Sequence, residues 1–376
     1  MRINSIRQNS TTKPLRYNVS EEVLYTFWRK TVSKSDISRN NHYVPKFYLE
    51  YWGNDNRLWK YQLLVSNEKV PVWSNTATKH TASQDNLYVR MKDNEEVDDI
   101  EKIFDADFEV CAKKALDKVI NEDRLSSEDW KYIINFVGAQ IVRTPAFFQR
   151  IRPTIRNAME SSLEEILSEL TKEKILASKK NIDEDNELIP INFVDEGASD
   201  IEGMEDVRVE AIEGKSTWLW AIKHMLKNNL KYLHEHKWSI ITTELEMPTS
   251  DDPVLCLNYY SENDYNFDGR WMQKGTEIFL PISPHKIIYT QVGVKHTPRI
   301  KYGIEESNLL KKLIVEHAFR EIYSNYQDDD IPQIRPRIVD TNLYKEEQES
   351  VNNWYDTYLE KEASLLNKYS LQRKVK

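Results

Sequence analysis

The chain has 376 residues, enough for one large domain or two ordinary ones with a well-filled core. It has only nine glycines, none close enough together for a glycine-rich loop, which excludes the usual dinucleotide-binding and P-loop motifs. Two cysteines exclude a disulfide framework or a cysteine-rich zinc site, and a net charge of −9 argues against a protein that coats nucleic acid, although a local basic site stays open.

The first elements in chain order are short. Residues 1–40 are polar and are expected to form an N-terminal extension, in which the apolar cluster 23–28 predicts a short helix. Helical spacing over 44–52, with Pro45 at the start and Gly53 at the end, predicts a helix directly after His42. Alternation over 57–65 then predicts a strand that pairs with 69–73.

Helices dominate the next part of the chain. An apolar stripe predicts a helix over 97–120. Ser126 with Asp129 forms a capping-box signature for a second helix, which Pro145 either kinks or ends by starting a new one. The helical pattern continues to Leu170.

Strand patterns dominate the second half of the chain. Residues 179–215 are rich in Asp and Glu and read as an acidic loop with one extended piece at 189–194. After a helical pattern over 218–233, strands are predicted at 238–243, 254–257, 278–282 and 286–292, followed by a helix at 309–323 and a charged amphipathic helix at 342–376.

These elements predict an α+β fold, in which a helical core packs on a small, mainly antiparallel sheet. We expect a single domain at 41–330, preceded by the extension at 1–40 and followed by a C-terminal extension at 331–376. No apolar leader opens the chain and its longest uncharged run, Tyr132 to Val142, is too short to span a membrane. The sequence therefore predicts a soluble, cytoplasmic protein that does not enter a membrane.

Four short motifs occur in an order that resembles one protein family. They are H-Y-V-P at 42–45, R-T-P at 143–145, T-S-D-D-P-V at 249–254 and P-I-S-P at 281–284, where the family usually has Leu in place of Ile282. In this the chain resembles the bacterial family of unknown function DUF4238 over about residues 40–325. The resemblance implies positions of interest and no established activity.

His42 is the first candidate for chemistry. A histidine at a helix start has its pKa lowered by burial or by the helix dipole, toward the neutral form that acts as a base. In the alternative, His42 hydrogen-bonds the neighbouring backbone and fixes the start of the helix. Glu109 is read either as a carboxylate that orients a histidine or binds a metal, or as a solvated partner of Lys113.

Gln140 and Arg143 are neighbours on one helix face, where Arg143 is suited to hold a phosphate or carboxylate through two hydrogen bonds. In an equally open alternative, Arg143 only ties a kinked helix to a carboxylate such as Glu109 or Asp251. Tyr43 stands in the same motif as His42 and Lys46 directly follows it, and we assign both with Gln140 and Arg143 to substrate binding.

Adjacent aspartates point in different directions, so only one of Asp251 and Asp252 is expected to join a site. We choose Asp251, while an Asx-turn closing a strand is the alternative for this pair. The remaining histidines lack metal-ligand companions at useful spacing and are predicted to be structural or at the surface.

These residues predict an intracellular hydrolase of phosphodiester or nucleotide substrates, similar to a nuclease and set in a toxin or anti-phage role. His42 is the general acid/base and Arg143 holds the anion, while Glu109 and Asp251 orient His42 or bind a divalent ion such as Mg²⁺. Nucleic acid or a nucleotide is then the expected partner. Alternatively, the same residues form a polar network in a non-catalytic ligand-binding or sensor protein. A third reading gives the C-terminal helix a protein partner or a second copy of the chain.

Overall fold

A computed structural model describes residues 37–92, 95–169, 191–198, 205–211 and 215–351. These residues belong to one compact unit that begins at Ile37. The helix predicted at 23–28 and the tail from residue 352 lie outside the described residues.

The helices combine regular segments with two π-helical turns. A π turn at Phe104–Glu109 joins α2 to α3, and another at Met225–Asn229 joins α6 to α7. Single 3₁₀ turns lie at Glu50–Trp52 and Thr78–His80. The α-helices are α1 Lys46–Leu49, α2 Asp99–Ile103, α3 Val110–Ile120, α4 Ser127–Val142, α5 Pro145–Glu169, α6 Lys215–His224, α7 Leu230–Leu233, α8 Ile304–His317 and α9 Asp330–Ile334.

The strands form two main sheets and several small pairs. They are β1 Asn40–His42, β2 Arg57–Gln62, β3 Leu64–Val65, β4 Trp73–Ala77, β5 Ser83–Asp85, β6 Arg90–Lys92, β7 Glu95–Val97, β8 Ile191–Ala198, β9 Glu205–Ala211, β10 Ser239–Thr243, β11 Thr249–Ser250, β12 Leu255–Ser261, β13 Asp264–Asn266, β14 Glu277–Ser283, β15 Lys286–Gln291, β16 Arg299–Tyr302, β17 Glu321–Ser324 and β18 Ile338–Val339.

The larger sheet has six strands in the order β13-β12-β14-β15-β10-β16, and the smaller has four in the order β11-β17-β2-β4. All neighbours in both sheets are antiparallel except β10 and β16. The main apolar core joins the inner face of the larger sheet to helices α3 and α4. The predicted α+β fold, with a helical core on mainly antiparallel strands, is thus confirmed.

The break between α4 and α5 follows from local chemistry. Helix α4 begins at a capping box, in which Ser126 Oγ accepts from the Asp129 amide at 3.1 Å. It ends at Arg143, and Thr144 Oγ1 then accepts from the Phe147 amide at 3.1 Å to cap the next helix. Pro145 is the first residue of α5, so it starts a new helix rather than kinking the old one.

Three predicted boundaries were wrong. The strand that pairs with β2 begins at Trp73, because the residues just before it form turns and bends and Pro71 has no amide to donate to a neighbouring strand. Helix α8 ends at His317, since Ala318 adopts an extended conformation and leads into β17. The acidic segment contains a β8–β9 antiparallel hairpin where only one extended piece was expected. Among the described residues, no helix is both long and apolar enough to cross a membrane.

Candidate functional site

Arg143 is the centre of a buried polar cluster. It follows the last residue of α4 and is only 1% exposed, so its charge requires partners within the protein. Its Nη1 donates to Glu109 Oε1 at 2.7 Å, and its Nη2 donates to the main-chain carbonyl of His42. The guanidinium also lies over the Phe104 ring, 4.3 Å from the ring centroid.

The π turn between α2 and α3 supplies two of the side chains that contact Arg143. Phe104 opens this turn and Glu109 closes it. An extra residue in a helical turn rotates the side chains that follow it, and such turns recur at functional sites. Glu109 is therefore paired with Arg143 rather than with Lys113 in solvent, and its side chain is 19% exposed.

His42 ends β1, which pairs with β5, and its ring lies against the 3₁₀ turn at Thr78–His80. Burial lowers the pKa of His42 below its ordinary value of 6.5, and the positive charge of Arg143 lowers it further. Glu109 and backbone hydrogen bonding at Thr78 and Lys79 act in the opposite direction. The ring is therefore neutral at physiological pH.

Glu101 belongs to the same cluster, although it was not predicted from the sequence. It lies on α2, close enough to Arg143 and Glu109 for both charges to affect it. Burial raises its pKa from 4.5 to about 7, against the opposing effect of Arg143. A carboxyl group that keeps its proton near neutral pH can donate a hydrogen bond or a proton.

Several polar atoms around Arg143 have no hydrogen-bond partner among the described residues although they are buried. Such atoms are rare in folded proteins, because each costs about 1–3 kcal/mol. Their grouping around one guanidinium marks the cluster as a candidate for binding or catalysis. The atoms are His42 Nε2, Glu101 Oε2, Gln140 Oε1 and Arg143 Nε.

The remaining residues assigned to substrate binding fall in different surroundings. Gln140 is fully buried and donates from Nε2 to the Tyr43 carbonyl at 2.7 Å. The Tyr43 side chain hydrogen-bonds Tyr323, so it links this cluster to the smaller sheet. Lys46 is exposed and pairs with Glu50 at 3.1 Å, away from the cluster.

Asp251 lies elsewhere, at the start of the smaller sheet. Its two carboxyl oxygens accept from the amides of Phe319 at 2.9 Å and Arg320 at 2.7 Å, which fixes the turn before β17. Burial and the nearby charge of Glu321 raise its pKa to about 8. The structure thus places Asp251 in a turn-holding position and not beside Arg143.

Asp252 instead connects to the R-T-P motif. It is 1% exposed, and its Oδ1 accepts from Thr144 Oγ1 at 3.0 Å while its Oδ2 pairs with Arg150. His317 Nδ1 also lies 3.1 Å from the Asp252 carbonyl, which fits the structural role predicted for this histidine. Asp252, Arg150 and Thr144 form a second polar cluster, adjacent in sequence to the first.

The motifs that are distant in sequence therefore meet in space. R-T-P contacts H-Y-V-P through Arg143, and T-S-D-D-P-V through Thr144. Tyr48, on the helix after H-Y-V-P, donates to the carbonyl of Pro281 in P-I-S-P and lies 2.7 Å from Thr249. Within the described residues, no group of three or more His, Cys, Asp or Glu side chains is arranged to hold a metal ion.

Comparison with known proteins identifies the family of the chain. Neither the curated proteins nor the solved structures include a significant match. One family model, described as a protein of unknown function (DUF4238), matches residues 40–328, a span that holds both polar clusters. The chain belongs to the DUF4238 family.

Proposed function

We propose that this chain is a cytoplasmic hydrolase of phosphodiester or nucleotide substrates, with an acid–base centre formed by His42 and Glu101. The observation that carries the proposal is the convergence of two titratable side chains with oppositely shifted pKa values on one buried arginine. Two titratable groups whose pKa values are shifted in opposite directions are typical of the acid and base of an enzyme, because each environment stabilises the neutral form of its own group.

The pKa directions give each group a role. At pH 6.5–7, the lowered pKa leaves His42 unprotonated and able to accept a proton from water. Glu101, with a pKa of about 7, still holds a proton that it donates to the leaving oxygen. In this step the water loses one proton to His42 and its oxygen bonds to phosphorus, while the bond from phosphorus to the leaving oxygen breaks and that oxygen gains one proton from Glu101.

Arg143 takes a different part from the one expected from the sequence. Its Nη1 and Nη2 are engaged by Glu109 and the His42 carbonyl, so Arg143 positions the centre rather than clamping the substrate. A substrate anion would meet exposed cations instead. Lys79 supplies one on the turn that touches His42.

A second candidate, a non-catalytic binding or sensor protein, is favoured by the same engagement of Arg143. If the cluster serves only to hold the H-Y-V-P and R-T-P segments together, it needs no reaction. The two candidates differ in what they predict for His42. Removing the ring loses the backbone hydrogen bonding at Thr78 and Lys79 in either case, and only the hydrolase also loses an activity.

The test is incubation of the purified chain with labelled single-stranded DNA, single-stranded RNA, tRNA and nucleotides, with and without Mg²⁺ or Mn²⁺. We expect cleavage by the wild-type chain, and a loss of about 10²–10⁴-fold in kcat for His42→Ala. His285→Ala is the matched control, because this exposed histidine lies 3.7 Å from Glu246 on another part of the surface. Equal cleavage by wild type and His42→Ala, or no cleavage of any substrate by wild type, would overturn the proposal.

A further inference from the structure

The helices from residue 215 to 237 form a basic segment of the described chain. This segment has five lysines and one glutamate, a net charge of +4, within a chain of net charge −9. Four of the lysines, those at 223, 227, 231 and 237, are exposed or partly exposed, and clustered exposed lysines in an acidic protein attract a polyanion.

We infer that this segment binds single-stranded nucleic acid through an exposed aromatic and basic surface. We call this surface the Trp220 face, and it consists of Trp220, His224, Lys227 and Lys231. These residues recur three or four positions apart along α6, the π turn and α7, and all four are exposed. The opposite side of the helix is buried and carries Trp218, Ile222 and Leu226.

The aromatic part of this face is already ordered for stacking. The Trp220 indole is 36% exposed and stacks on His224, with ring centroids 4.9 Å apart and planes at 26°. Asn228 Nδ2 lies 3.1 Å from His224 Nδ1, which fixes the imidazole. A fixed, exposed indole offers a flat surface to an unpaired base, and such stacking does not depend on sequence.

The cationic part of the face lies one to two turns further along. Within the described residues, neither Lys227 nor Lys231 forms an ion pair, so both ammonium groups are available to phosphates. The Lys231 Nζ lies 5.3 Å from the Tyr232 ring centroid, which keeps it near the helix surface. Bases stacked on Trp220 would therefore place their backbone along the lysines.

The helix that carries the Trp220 face also packs, through its other sides, on the elements of the proposed acid–base centre. Lys223, on the same helix, pairs with Asp99 at 2.9 Å, and Asp99 begins the helix that carries Glu101. Trp218 packs on Tyr88, and the Tyr88 hydroxyl donates to the Arg143 carbonyl at 2.8 Å. As the substrate-holding surface of the hydrolase this inference rests on the proposed function, whereas binding itself requires no reaction.

Binding is measured by fluorescence anisotropy of labelled 20-nucleotide oligo-dT and oligo-rU at several salt concentrations, with the full chain carrying His42→Ala to prevent cleavage. We expect Trp220→Ala to weaken binding at least about fivefold, through lost stacking. In the double variant Lys227→Glu with Lys231→Glu, the slope of the logarithm of the binding constant against the logarithm of salt concentration should be smaller in magnitude by about 1.4. Two matched controls change other exposed positions and should bind as the parent does. They are the single variant Tyr260→Ala and the double variant Lys69→Glu with Lys274→Glu.

The possible outcomes separate this inference from the proposed function. Binding without cleavage by the wild-type chain would contradict the hydrolase and leave the Trp220 face standing. No binding at 50 mM salt, or equal losses in the test and control variants, would overturn the Trp220 face. The inference would also be overturned if poly-glutamate competed for the site as well as the oligonucleotides do and Trp220→Ala had no effect on binding. The oligo-dT and oligo-rU arms distinguish DNA from RNA as the source of the strand.

Discussion

Replacing Arg143 with methionine tests whether the buried cluster holds the fold together. The change removes the ion pair to Glu109 and the hydrogen bond to the His42 carbonyl, and it removes the contact with the Phe104 ring. Methionine fills a similar volume, so the loss is mainly one of polar partners rather than of packing.

The magnitude follows from burial. Breaking a buried ion pair by removing one partner costs about 3–5 kcal/mol, since the other charge is left without compensation. Glu109 keeps 19% of its side chain exposed and is partly rehydrated, which moves the expected cost toward the lower end. We therefore expect Arg143→Met to lower the free energy of unfolding by about 3 kcal/mol. Lys46→Met, which breaks the exposed pair with Glu50, should cost less than about 1 kcal/mol.

Urea unfolding followed by circular dichroism measures both variants. The double variant Arg143→Met with Glu109→Gln should recover at least about 1 kcal/mol relative to the sum of the two single changes, because the pair is coupled. A loss below about 1 kcal/mol for Arg143→Met, or strictly additive effects in the double variant, would refute the reasoning that Arg143 and Glu109 form a buried, mutually compensated pair.

Three further predictions concern individual residues. Between pH 4.5 and about 7 the folded state binds the Glu101 proton more tightly than the unfolded state does, so unfolding free energy should fall as pH rises, and Glu101→Gln should flatten this slope in urea titrations. Asp252→Ala leaves Thr144 and Arg150 without their carboxylate partner and should cost about 3 kcal/mol, measured by thermal unfolding. Gly269→Ala would bring a Cβ within 2.8 Å of the Cys256 carbonyl oxygen and should cost about 1–3 kcal/mol in the same assay.

Local patterns were sufficient to predict much of the fold. The capping box at Ser126 and the strands near 239, 277 and 286 follow from spacing and from side-chain chemistry within a few residues. Boundaries set by distant contacts were not predictable in this way. The end of α8 depends on Ala318 and on the pairing of β17 with β2, which joins segments about 260 residues apart.

Most of the candidate cluster was predicted from the motifs and from residues near them on the same helices. His42 and Arg143 stand in motifs, Gln140 lies one helical turn before Arg143, and the structure brings all three together with Glu109. Glu101 has no motif, and only its position one turn before the π turn brings it near Arg143. The choice between Asp251 and Asp252 depended on which way each carboxylate points, and adjacent residues of one type give the sequence no means to decide this.

The most direct test of the acid–base centre measures hydrolysis and thermal stability of His42→Ala side by side, on the labelled oligonucleotide that the wild-type chain cleaves best. The ring's hydrogen bonding at Thr78 and Lys79 is lost in this variant, so we predict that it is less stable by about 1 kcal/mol but stays folded at the assay temperature, with a kcat lower by about 10²–10⁴-fold. A variant that keeps its full activity, or that loses activity only because it unfolds, would contradict it.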